Sequence, residues 1–166
     1  ARMEVLQLAA AKDYRLEKLQ GQPLYFTPLG PQSKQSMRSA FEHLTGHAHG
    51  QPAEIEVKGR KVRIPETSMG VARFKFAEIC EVPLGPLDYL SIAHTYHTLL
   101  IEDIPQLTPA KRNEARRFVT LIDTLYDNGN CLIASAAAEP DAIYPEGDGA
   151  FFFERTASRL IEMRSE

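Results

Sequence analysis

Two short, wholly apolar runs flank a long amphipathic segment in the second half of the chain, and they constrain its fold most. Thr98-Leu99-Leu100-Ile101 ends in Glu102-Asp103, and Cys131-Leu132-Ile133-Ala134-Ser135 follows Asn128-Gly129. A strand with one wet face alternates polar and apolar residues; a run without alternation suits a strand buried on both faces. Between the runs, Ala115, Phe118, Val119, Ile122, Leu125 and Tyr126 recur at helical spacing and mark one buried stripe. Thr108-Pro109 predicts where that helix starts, with a hydroxyl cap and a proline in the first turn. Asn128-Gly129 predicts its end, because glycine accepts the left-handed conformation. Strand, helix, strand in that order implies a parallel pair joined by a crossover. Pro86 to Thr95 reads as a helix before this unit, and a helix from about Phe153 to Arg164 closes the chain.

The first half has a different pattern. Residues 3–8 alternate like a strand, and Leu24-Tyr25-Phe26 is a short β-like run closed by Pro28, Gly30 and Pro31. Residues 33–44 predict a helix capped by Ser33, with Met37, Ala40, Phe41 and Leu44 on one face. Thr45 to Pro52 reads as a loop. A hairpin follows: Glu54-Ile55-Glu56-Val57 alternates, Lys58-Gly59 turns, and Val62-Arg63-Ile64 alternates back. Val71 to Phe76 completes a small antiparallel sheet with one polar face. The expected fold class is therefore α/β with an α+β N-terminal half. Residues 1–85 would be mixed and carry the hairpin sheet, and residues 86–166 would form a strand–helix–strand–helix unit.

Composition narrows the function classes. Hydrophobic residues make up 43% of the 166, enough for a core, and charged residues 25%, as in soluble globular proteins. The net charge of −3 gives no global attraction to nucleic acid or to an anionic membrane. No apolar run approaches the ~20 residues that span a bilayer. Cys80 and Cys131 are too few for a disulfide framework and read as buried, reduced thiols, which fits a reducing compartment. Ala1 to Leu8 has no secretory pattern and reads as the middle of an element, so we expect coding sequence before it.

The chain carries no complete catalytic motif. A phosphate loop needs Gly-x-x-x-x-Gly-Lys-Ser/Thr so that closely spaced amides wrap the phosphates, and no Gly-Lys dipeptide occurs here. The dinucleotide-binding glycine pattern and Gly-x-Ser-x-Gly are also absent. His43, His47 and His49 lie close together, but no cysteine or acidic cluster completes a four-ligand metal site, and no metal is expected. His94 and His97 suit core or capping roles. Lys58, Arg60, Lys61 and Arg63, with Arg73 and Lys75, form either a partner-binding or phosphate-binding stripe or simply a solvated edge hairpin. Glu102 and Asp103 stand where open α/β sheets place ligand chemistry, at the carboxyl end of a buried strand, or else cap the following turn. Arg155 and Arg159, one helical turn apart, point the same way. They would either aim two guanidinium groups at a phosphate or a subunit boundary, or make ordinary ion pairs.

An ordered set of segments over nearly the whole chain resembles the ZapE-type cell-division ATPases of bacteria and their mitochondrial relatives. The early segments are Asp13-Tyr14-Arg15, Gly59-Arg60-Lys61-Val62 with Ile64-Pro65, and Gly70-Val71-Ala72-Arg73-Phe74-Lys75-Phe76. Pro83-Leu84-Gly85 with Asp88-Tyr89-Leu90, His97-Thr98, and Ile101-Glu102-Asp103-Ile104-Pro105 follow. Arg116-Arg117-Phe118, running into Leu121-Ile122-Asp123-Thr124-Leu125-Tyr126-Asp127, precedes Ser135-Ala136. Glu154-Arg155-Thr156 with Ser158-Arg159-Leu160-Ile161-Glu162-Met163 ends the set.

The resemblance implies a C-terminal segment of a P-loop ATPase whose phosphate loop lies upstream. ATP and Mg²⁺ would be bound in the parent protein and neither by this chain alone. It also implies the upstream core of the same polypeptide as partner, a homo-oligomer, and a division protein of the FtsZ type. Location would be bacterial cytoplasm, or mitochondria in the eukaryotic branch, and nucleic acid is not an expected partner. Arg155 and Arg159 become candidates for sensing the γ-phosphate. The strand ending in Glu102-Asp103, its helix, and the strand ending in Ser135-Ala136 resemble the Walker B strand, helix and sensor strand expected earlier in the parent. We therefore expect this half to extend a P-loop-type sheet as a degenerate repeat. The alternative is a non-enzymatic module that docks a protein or nucleic acid through the hairpin sheet at 54–76.

Overall fold

The computed structural model describes residues 24–144 and 150–164. The expected strand at 3–8 lies outside them. Six strands form one mixed sheet in the order β1-β6-β5-β4-β3-β2. They are β1 (Tyr25–Phe26), β2 (Gln51–Val57), β3 (Arg60–Ser68), β4 (Val71–Lys75), β5 (Thr98–Ile104) and β6 (Cys131–Ala136). β1, β6, β5 and β4 run parallel, while β3 and β2 continue the sheet antiparallel. The parallel pairing expected for the two apolar runs is present, with Leu99 beside Leu132 and Leu100 beside Ile133. The hairpin is not a sheet of its own: β4 pairs with β3 on one side and β5 on the other.

Alternation along the central strands explains the layers. Ala72, Phe74, Leu99, Ile101, Leu132 and Ala134 face the larger core. Val71, Leu100 and Ile133 face a smaller one built with Leu24 and with Met37, Phe41 and Leu44 of helix α1 (Pro31–Thr45). The larger core also takes in residues of α2 (Phe76–Ile79), α3 (Pro86–Thr95), α4 (Arg112–Asp127) and α5 (Ala150–Arg164). Phe118 of α4 lies 5.9 Å from the ring of Phe76 and 6.0 Å from that of Phe153, so one aromatic side chain joins three helices.

Element boundaries correct several expectations. Ser33 does not cap α1; the helix starts at Pro31 after Gly30, and the Ser33 hydroxyl donates to the Pro28 carbonyl. Thr108 makes no side-chain cap either, because a 3-10 turn at Pro109–Lys111 precedes α4. The apolar run at 98–101 does not end its strand, which continues to Ile104. The loop expected up to Pro52 gives way to β2 at Gln51. At the hairpin tip, Lys58 (φ 49°) and Gly59 (φ 80°) are both left-handed, the pair of conformations that a tight two-residue β-turn requires.

Candidate functional site

Open α/β sheets bind ligands beyond the carboxyl ends of their parallel strands, at the point where helices switch from one face to the other. Here α1, which follows β1, lies on the smaller core, and α4, which precedes β6, lies on the larger one. The switch therefore falls between β1 and β6. A cleft of about 530 Å³ opens there, lined by Tyr25, Pro28, Gly30, Ser33 and Glu139 among others.

Glu102 and Asp103 sit on the next strand beyond β6, within the last residues of β5. An irregularity in the β5–β6 ladder after Ile101 puts Asp103 at φ 58°, an uncommon conformation for a residue other than glycine. The Asp103 backbone N–H donates to the Ser135 Oγ at 3.0 Å, which ties the ends of β5 and β6 together. Glu102 is spent elsewhere. Its carboxylate accepts from Nε of Arg73 on β4, and Arg73 also lies 3.8 Å from Glu66 and 5.8 Å over the Phe41 ring. With the Glu102 side chain 8% exposed, the guanidinium supplies the counter-charge that a buried carboxylate needs. Beside this pair a cleft of about 280 Å³ is rimmed by Arg38, His49, Lys75 and Glu78.

These residues do not suit a Mg²⁺ ion. Arg73 already neutralises Glu102, and among the described residues no group of three or more His, Cys, Asp or Glu side chains is placed to hold a metal. The close-set histidines are separated in role: His47 Nδ1 meets the Ser68 hydroxyl at 3.2 Å, and His49 lies 3.9 Å from Glu66. His97 is a core histidine, contacting the Thr98 hydroxyl at 2.8 Å and the Met69 carbonyl at 3.1 Å. Cys80 is a free, buried thiol, and burial pushes it well above its ordinary range, so it stays protonated.

Arg155 and Arg159 do share a face, and both close on Asp123 of α4. Arg155 donates to Oδ2 at 3.0 Å and Arg159 to Oδ1. Arg159 also stacks on Tyr126, 4.8 Å from the ring centroid, and Tyr126 donates to Glu162 at 2.8 Å. Arg155 remains 66% exposed and Arg159 only 21%. Sequence reasoning missed Asp123. The signal was available in the arginine pair itself, since two guanidiniums on one buried-edge face need an acid on the helix they pack against.

The basic residues of the hairpin divide between its two faces. Arg60 shares strand parity with Val62 and Ile64, which are buried, and its guanidinium grips both oxygens of Asp88 at 2.7 and 2.8 Å. Asp88 is fully buried at the start of α3 and also accepts the Gly85 N–H at 2.7 Å. Lys61 and Arg63 stand on the opposite parity, across from Glu56 and Glu54. Lys58 occupies the turn. No helix of the described residues is long and apolar enough to cross a membrane.

The family model for AFG1-like ATPases matches residues 1–166. The chain belongs to the AFG1-like ATPase family. It is 36% identical over 148 residues to an uncharacterized protein of Schizosaccharomyces pombe, covering 87% of this chain and 32% of that protein. It is 30% identical over 167 residues to the cell division protein ZapE of Escherichia coli K12, covering 98% of this chain and 44% of ZapE. Lactation elevated protein 1 homolog B of Danio rerio is 28% identical over 197 residues, with 98% and 39% coverage. The chain thus spans less than half the length of these relatives. No solved structure matches it. The resemblance read from the segments is therefore confirmed at the level of the AFG1-like family.

Proposed function

We propose that this chain is the C-terminal part of an ATP hydrolase, and that it completes a parallel sheet and shapes the nucleotide pocket. The observation that carries the reading is the AFG1-like ATPase match over residues 1–166. The juxtaposition of Asp103 and Ser135 on adjacent parallel strands supports a second element of it, that β5, α4 and β6 are a degenerate copy of a Walker B and sensor pair. The phosphate loop that this sequence lacks, and the Mg²⁺ ligands that Glu102 cannot supply while Arg73 holds it, would come from other parts of the parent. ATP and Mg²⁺ belong to that parent site.

In this reading Asp123 pre-orients Arg155 and Arg159, so that a fixed guanidinium meets charge developing on the γ-phosphate without reorganising. Their acceptor lies in the same subunit or in the next one of a homo-oligomer. The E. coli relative is named for cell division. The corresponding role here is division in a bacterial cytoplasm with an FtsZ-type partner, or protein quality control in mitochondria. Docking of nucleic acid on the basic hairpin is the weaker reading, because Arg60 is committed to Asp88, which breaks the stripe.

Arg159→Ala in the full-length protein tests the role of the arginine pair. Turnover should fall by about 10²-fold, the scale of a lost transition-state donor, with ATP affinity changed little. Unchanged turnover would remove Arg159 from the mechanism.

A further inference from the structure

The sheet ends at β2, whose outer backbone edge pairs with no other described strand. The two-residue turn makes Val57 and Arg60 a hydrogen-bonded pair, and bonded and non-bonded pairs then alternate along the ladder. Ile55 and Ala53 bond inward to Val62 and Ile64, so Glu54 and Glu56 aim their N–H and C=O groups outward. Their side chains are exposed, while Val57 is buried and Ile55 and Ala53 pack against the core. Among the described residues the edge therefore offers an unpaired ladder marked by two carboxylates at i and i+2.

β3 shows what such a strand accepts. Its Lys61 and Arg63 stand directly across from Glu56 and Glu54. Opposite charges in that position favour pairing, and like charges oppose it. A second copy of the chain fits badly: antiparallel β2–β2 pairing about Ile55 would set Glu54 against Glu56 of the other copy. We propose that the outer edge of β2 takes an extended basic segment of another protein as an added strand, with Lys or Arg at alternate positions. Main-chain bonds to Glu54 and Glu56 would give affinity, and their carboxylates the selection for basic residues. Pro52, which lacks an N–H, limits the ladder at its start.

The test is fluorescence anisotropy of the full-length protein with a labelled peptide that alternates Arg or Lys with Val. Two further versions of the peptide carry N-methyl groups on one or the other set of alternate amides. One methylated set should weaken binding by about tenfold or more and the other should not, because only one edge of the peptide faces β2. Glu54→Gln with Glu56→Gln should weaken binding of the unmethylated peptide and flatten its salt dependence. Equal binding of both methylated peptides, an unchanged affinity in the double variant, or no binding at about millimolar peptide would overturn the proposal. So would a concentration-dependent dimer that the double variant alters, since the occupant would then be a second copy.

Discussion

Two adjacent basic residues, Arg60 and Lys61, have different surroundings, and parity along a strand tells them apart. Arg60 lies on the side of Val62 and Ile64 and grips the fully buried Asp88, while Lys61 faces outward. Arg60→Ala leaves a buried carboxylate with the Gly85 N–H. Denaturant unfolding should register a loss of about 2–3 kcal/mol, because an uncompensated buried charge is costly. Lys61→Ala should stay within ~0.5 kcal/mol, as exposed substitutions do. Equal effects would mean that the Asp88 clamp contributes nothing. Residue types were legible in the sequence, but their partners were not. Glu102 looked like a ligand because of its place at a strand end, and only the neighbouring strand revealed Arg73 as its counter-ion.

At the scale of elements, local pattern did most of the work where it was strong. The stripe on α4 and the apolar runs of β5 and β6 depend on period and composition, which the sequence displays directly. The missed features depend on contacts distant in sequence. α2, four residues long, has too few positions to show a helical period. The extension of β5 through two acids requires a bulge that alternation cannot announce. Strand order was equally hidden: nothing local says that β4 joins the hairpin to the parallel strands. Phe118 is where the helices of the larger core meet, so Phe118→Ala should cost about 3–5 kcal/mol, seen as a lowered unfolding midpoint. A cost under ~1 kcal/mol would show that α2 and α5 do not depend on α4 for their packing.

For the molecule as a whole, the sheet has a switch point beside β1 and a contact between the ends of β5 and β6 at Asp103 and Ser135. It lacks a phosphate loop in its sequence and has Glu102 bound to an internal cation. We propose on these grounds that the chain supports a nucleotide site and does not form one. That division of labour agrees with a family match over residues 1–166 and with coverage of less than half of each relative. The central claim is that residues 1–166 serve an ATP hydrolase, and the most direct measurement is phosphate release from ATP by the full-length protein with Mg²⁺. Steady release that stops when the cation is chelated is the expected result. Failure to bind or hydrolyse ATP above the buffer rate would contradict the account.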